Sequence, residues 1–124
     1  IKDVFNPNLV KVVANDKQQA LYFSRAPIPW QRGVFSHDVS QMPDQMVLAP
    51  SYFRHIGLYA YRAGFVKDYV QWPVDPVEQI EQLEQLRVLM RGYQIAIAPA
   101  CATSPIGVDT AEDLAIARQL VAQY

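Results

Sequence analysis

Cysteine and histidine are scarce in this 124-residue chain, which has one cysteine, Cys101, and two histidines. A lone cysteine forms no internal disulfide, and three such residues fall short of a four-ligand structural zinc site. A reducing compartment is the natural expectation. Surplus charge is lacking too. Eleven Lys plus Arg against twelve Asp plus Glu leave a formal charge of -1, too little to hold nucleic acid or an anionic membrane. No run approaches the roughly 20 apolar residues that span a bilayer, and Ile1-Lys2-Asp3 lacks the basic-then-apolar pattern of a signal peptide. Also missing are a Gly-rich phosphate loop and any nucleophile with a base at catalytic spacing. The expectation is a soluble, cytoplasmic protein with neither nucleic-acid nor membrane partners. The chain opens on Ile1 rather than Met, with no N-cap before its first apolar run, so a fragment or processed product is expected.

What is present is apolar: 51% hydrophobic against 19% charged residues, the balance of one compact domain or of part of a larger one. Leu9-Val10-Lys11-Val12-Val13 and Ala20-Leu21-Tyr22-Phe23-Ser24 are strand-like runs joined through the turn chemistry of Asn15-Asp16-Lys17-Gln18, which predicts a hairpin or antiparallel pair. Pro27 and Pro29 stiffen the exit from the second strand. Residues 31–50 show no sustained period and are expected to form a long loop.

From 54 to 61 the chain alternates, with His55, Gly57, Tyr59 and Tyr61 on one side and Ile56, Leu58 and Ala60 on the other. That period predicts a strand, with Gly57 at a close backbone approach. A short helix over 63–70 would gather Phe65, Val66, Tyr69 and Val70 before Trp72-Pro73 ends it. The clearest helix spans 76–91, where Val77, Ile80, Leu83, Leu86 and Met90 recur at three- and four-residue steps. Asp75 and Pro76 start it and Gly92 stops it. Residues 93–100 read as an apolar strand, and Thr110, three residues before Asp113, caps a C-terminal helix. The order β-β-loop-β-α-α-β-loop-α describes an α/β chain, without repeats or heptads.

Four groups of residues can carry chemistry, and each has a plainer reading. Asp109, in Gly107-Val108-Asp109-Thr110 between a strand and a capped helix, suits a hard cation such as Mg²⁺, or it supports the helix N-terminus. Glu84 and Gln85 project about 100° apart on a helix and can line one wall of a polyol pocket, or they form a solvated face. His55 and Tyr59, two pleats apart on a strand, would emerge roughly 13 Å apart and suit an extended ligand, or sit hydrogen-bonded at a core edge. Arg25, at a strand end, matches a carboxylate or phosphate, or makes a structural salt bridge. Cys101 has no base beside it and is expected to pack.

Five segments, in order along nearly the whole chain, resemble one family. They are Asn6-Pro7-Asn8-Leu9-Val10-Lys11-Val12-Val13, the run from Ala20-Leu21-Tyr22 to Pro29-Trp30, Arg54-His55-Ile56-Gly57-Leu58-Tyr59-Ala60-Tyr61-Arg62, Leu83-Glu84-Gln85-Leu86-Arg87 and Gly107-Val108-Asp109-Thr110-Ala111-Glu112-Asp113-Leu114. The family is the CMP-Kdo synthetases, the 3-deoxy-manno-octulosonate cytidylyltransferases of Gram-negative bacteria. The resemblance implies the C-terminal half of a nucleotide-diphospho-sugar-transferase type α/β/α sandwich with a mixed sheet. Residues 1–124 would then be the sugar-binding and dimerisation half, with the N-terminal CTP-binding half absent and the piece inactive alone.

The implied reaction moves CMP from CTP to 3-deoxy-D-manno-octulosonate (Kdo) and releases pyrophosphate, with Mg²⁺, in a cytoplasmic homodimer that activates Kdo for lipopolysaccharide. By motif match, Arg25, His55, Tyr59, Glu84 and Gln85 would bind Kdo, and Asp109 would be the catalytic Mg²⁺ ligand. Lys11 and Arg54 match without an assigned contact. The stretch 100–106 departs from the family's more polar connection. Two other readings stand beside this one: a non-catalytic interaction or dimerisation module, and a sialic-acid type cytidylyltransferase.

Overall fold

The computed structural model describes residues 2–36, 38, 47–102, 107–108 and 111–122. Its centre is the expected hairpin. Strand β1 (Lys11–Ala14) pairs antiparallel with β2 (Ala20–Ser24), placing Val12 opposite Phe23. Asn15 closes the turn: its side-chain oxygen accepts from the amides of Lys17 and Gln19 at 3.0 and 2.9 Å, and Gln18 takes a left-handed φ of 56°. An Asx side chain bonding its own downstream backbone is what holds such a turn without glycine. A two-residue β3 (Phe53–Arg54) flanks β1 on its other side, giving the order β2-β1-β3. All these ladders are antiparallel, so these three strands do not carry the mixed character expected of the whole sheet.

Val10, Val12, Ala20 and Phe23 bury their side chains against Leu83 and Leu86. Both leucines follow a break that the periodicity did not predict. The expected 76–91 helix is two: α3 (Pro76–Glu81) and α4 (Gln85–Met90), separated at Gln82, which is left-handed with φ 54°. The start of α3 follows expectation, with Pro76 in its first turn. Asp75 accepts from the amide of Val77 at 2.8 Å, and Glu78 accepts from the amide of Asp75 at 3.2 Å, a reciprocal capping box. The break turns the apolar stripe: Leu86 is wholly buried while Ile80 is 81% exposed.

Helix α1 (Lys2–Phe5), which the sequence did not signal, buries Val4, and Phe5 meets Phe35 edge-on. Helix α2 (Ala63–Tyr69) lies where expected. The predicted strand over 93–100 is reduced to a bridge at Ala96, made by hydrogen bonds from Ala20 to Ile95 and from Ile97 to Gln18. Its partner residues are the turn end of β2, so the pairing stops after one step, although Ile95 and Ile97 still pack on the core. Helix α5 (Ala111–Val121) forms as predicted, with Leu114, Ile116, Leu120 and Val121 exposed. Its proposed cap, Thr110, lies outside the described residues.

Candidate functional site

The expected strand over 54–61 ends at Arg54, one residue before the site begins. The His55 amide still donates to Val10 at 2.8 Å, but Gly57 at φ +81° then turns the chain. A non-glycine residue rarely adopts that conformation. The turn changes the geometry of the pair. The Tyr59 hydroxyl lies 2.8 Å from His55 Nε2, with ring centroids 5.4 Å apart, where an extended strand would separate the side chains by roughly 13 Å. His55 also packs edge-on against the core residue Phe23, at 5.1 Å.

Burial lowers the His55 pKa, so the imidazole is neutral at pH 7. Burial raises the Tyr59 pKa, and the neighbouring Tyr61 and the Glu84 carboxylate add to the rise, so the phenol keeps its proton. An uncharged imidazole-phenol pair offers hydrogen bonds rather than charge, which suits hydroxyl groups better than an anion. Both residues line an open groove of about 1280 Å³ between 50–62 and 94–101, with Phe23 and Val88 among its lining residues. Cys101 lines the same groove and is exposed, so it is not the packing residue expected.

Glu84 and Gln85 sit where α4 begins, immediately after the break. Glu84 is exposed and lines a shallow 400 Å³ concavity with Glu78, Gln82 and Leu83. Its charge reaches Tyr59, Tyr61 and Tyr69, and its carbonyl accepts from the Tyr69 hydroxyl at 3.3 Å. Gln85 is only 4% exposed, and among the described residues its Nε2 has no hydrogen-bond partner. A buried, unpaired amide N–H costs about 1–3 kcal/mol, so a further acceptor is expected for it, although Gln85 lines neither the groove nor the shallow concavity. His55 and Tyr59 are thus in contact, Glu84 is within electrostatic reach of Tyr59, and Gln85 adjoins Glu84 along the chain.

Arg25 is not with them. Its guanidinium donates to three backbone carbonyls, of Glu81 at 2.8 Å, Pro7 at 3.0 Å and Gln82 at 3.4 Å. Asp109 lies outside the described residues, and among the described residues no group of three or more His, Cys, Asp or Glu side chains converges.

The support behind Glu84 was missed in the sequence. Glu78 and Arg87 form a two-point ion pair, with Nε to Oε2 at 2.7 Å and Nη2 to Oε1 at 2.5 Å. The Arg87 hydrogen bond holds the Glu78 carboxyl below its usual range. Arg87 also lies 4.6 Å over the Tyr69 ring, a cation-π contact. Nine residues separate Glu78 from Arg87, so no helical spacing flagged the pair, although Asp75-x-x-Glu78 is a readable capping-box signature.

The fold superposes with a TM-score of 0.78 on a solved CMP:2-keto-3-deoxy-manno-octonic acid synthetase complexed with CTP. That structure is 38% identical, and the alignment covers 98% of this chain and 45% of that one. The fold class is thereby α/β, that of the matching part of this nucleotide-binding neighbour. The family model for cytidylyltransferases matches residues 1–95, and the chain belongs to the cytidylyltransferase family. Among its relatives, the 3-deoxy-manno-octulosonate cytidylyltransferase of Tolumonas auensis is 54% identical over 119 residues, covering 96% of this chain and 44% of the relative. That of Haemophilus ducreyi is 52% identical over 122 residues, covering 98% and 47%. The chain therefore spans about half the length of the curated relatives it matches.

Proposed function

We propose that this chain is the sugar-binding part of an enzyme that transfers CMP from CTP to Kdo, giving CMP-Kdo and pyrophosphate for lipopolysaccharide assembly. The observation that carries the reading is the neutral, hydrogen-bonded His55-Tyr59 pair with the Glu84 carboxylate in electrostatic reach of Tyr59, next in the chain to the buried, unpartnered amide of Gln85. Kdo is an acidic polyol, and hydroxyl-rich ligands are gripped by a spread of uncharged donors and acceptors with one or two charged groups. The Glu84 carboxylate accepts from sugar hydroxyls, the Gln85 amide donates to a sugar oxygen, and the His55-Tyr59 pair fixes the ring's orientation. The names of the relatives and of the structural neighbour support the same substrates.

In the reaction the anomeric hydroxyl of Kdo attacks the α-phosphorus of CTP, the bond to the β-phosphate oxygen breaks, and pyrophosphate leaves with that electron pair. The attacking oxygen gives up its proton to water, and no covalent enzyme intermediate is needed. Asp109 is the residue we assign to Mg²⁺. One carboxylate fits that ion, which typically takes only one or two protein carboxylates and fills its remaining positions with phosphate oxygens and water. When bound, Mg²⁺ neutralises phosphate charge and helps align the displacement. The full-length enzyme works as a cytoplasmic homodimer in this reading.

The full-length protein, given CTP and Mg²⁺, should release pyrophosphate with Kdo and prefer Kdo to N-acetylneuraminate by at least ~10²-fold in kcat/KM. Discrimination of that size is accessible to a site built on hydrogen bonds. No turnover with Kdo, or a preference for the sialic acid, would overturn the assignment.

A further inference from the structure

Arg25 and the helix break meet at one corner of the molecule. The break leaves the last carbonyls of α3 without helical partners, as every helix end does. Arg25 supplies them: Nε donates to Glu81 at 2.8 Å and Nη2 to Gln82 at 3.4 Å, while Nη1 reaches across to Pro7 at 3.0 Å. The backbone of Arg25 is held just as firmly. Its amide donates to the Glu81 carboxylate at 3.0 Å, its carbonyl accepts from Lys11 Nζ at 2.6 Å, and Ser24 Oγ donates to the same Glu81 carboxylate at 2.6 Å. The end of β2 and the end of α3 are therefore stitched together by both main chain and side chains.

Gln82 needs this clamp. It is a non-glycine residue in the left-handed region, which such residues keep only when their surroundings over-determine it. The turn at Gln82 sends Leu83 and Leu86 into the core and leaves Gln85 buried with a free amide N–H. A helix running straight through would rotate Gln85 away from that position, because each added helical residue turns the side chain by about 100°. Arg25 meanwhile already gives one N–H on each of its three nitrogens to a backbone carbonyl.

We propose that Arg25 is a positioning residue, which sets the Glu84-Gln85 corner for the sugar by clamping the carbonyls of Glu81 and Gln82, and does not itself touch the sugar. The inference rests on the sugar-site reading above. Lysine cannot replace it, since one ammonium does not span three carbonyls as the planar fork does.

The test is a double-mutant cycle in the full-length enzyme with Arg25→Lys, Gln85→Ala and the pair, reading KM for Kdo, KM for CTP and kcat, with circular dichroism to check folding. Arg25→Lys should raise the Kdo KM about 10-fold, leave the CTP KM unchanged and alter kcat little. The double variant should be no worse than Gln85→Ala alone, as expected when one residue acts through another. Effects that multiply independently would overturn the proposal, because Arg25 would then contact the sugar directly, and so would a Kdo KM unchanged by Arg25→Lys. Glu81→Gln disturbs the same clamp without altering Arg25. It should reproduce the selective rise in Kdo KM, including where Arg25→Lys fails to fold, and an unchanged Kdo KM in it would count equally against the clamp. Failure of the underlying reading looks different: Gln85→Ala would leave the Kdo KM unchanged with Arg25 intact, and the proposal would fall with it.

Discussion

Asp109→Ala in the full-length enzyme should lower kcat for CMP-Kdo formation by about 10²- to 10⁴-fold, the size expected when a metal-assisted displacement loses several kcal/mol of charge stabilisation. Magnitude separates this role from its rival. In the sequence Asp109 comes two residues before Ala111, where α5 (Ala111–Val121) begins, and the plainer reading has it support that helix's N-terminus. Losing an N-terminal cap costs about 0.5–2 kcal/mol of stability and leaves chemistry alone. Asp109→Asn divides the two further, because asparagine caps a helix as well as aspartate does but brings no charge to a cation. In the metal role both variants lose turnover; in the capping role Asn behaves as wild type and Ala only melts earlier. A titration of initial rate against Mg²⁺ concentration for the three proteins makes the comparison.

Leu86→Ala should cost about 2–5 kcal/mol of stability, the range for emptying a fully buried leucine site, against a usual total of about 5–15 kcal/mol. Leu86 has no exposed surface and belongs to the cluster of Val12, Phe23 and Leu83. Ile80→Ala is the informative companion. Ile80 occupies the same apolar repeat in the sequence, yet it is 81% exposed beyond the break at Gln82, so its truncation should stay within about 0.5 kcal/mol. Urea unfolding midpoints of the two variants in the full-length protein measure the difference. Equal costs would mean that α3 and α4 are one continuous helix with a common buried face.

The parts of the fold legible in the sequence are those fixed by neighbours in the chain. Asn15 and its turn, the Asp75-Pro76 start of α3 and the aromatic spacing of α2 are all local chemistry, and each lies where expected. The failures come from partners distant in sequence. Val77, Ile80, Leu83, Leu86 and Met90 keep helical spacing through Gln82, and nothing local announces that Glu81 and Gln82 will be held by Arg25, more than fifty residues earlier. Gly57 was legible as a special backbone position, but alternation on either side of it looks the same whether the glycine permits a close approach or a turn. The turn is what brings Tyr59 onto His55.

For the candidate site, motif resemblance named His55, Tyr59, Glu84, Gln85 and Arg25, residues that taken singly looked like surface, core edge or a structural salt bridge. Its fifth choice, Arg25, is engaged with carbonyls of its own chain. Sequence pattern alone does not distinguish a guanidinium that meets a ligand from one that shapes the wall beside it, since both need an Arg at that place. The Glu78-Arg87-Tyr69 support beneath Glu84 was invisible for a related reason: it joins α2, α3 and α4 in space, with no periodic spacing between its members.

The most direct measurement is a crystal structure of the full-length enzyme with Kdo bound. The account predicts the sugar within hydrogen-bond distance of the Gln85 amide, the Glu84 carboxylate and the His55-Tyr59 pair, with the guanidinium of Arg25 still on the carbonyls of Glu81 and Gln82. A sugar bound elsewhere, with Gln85 Nε2 still unpartnered, would contradict it.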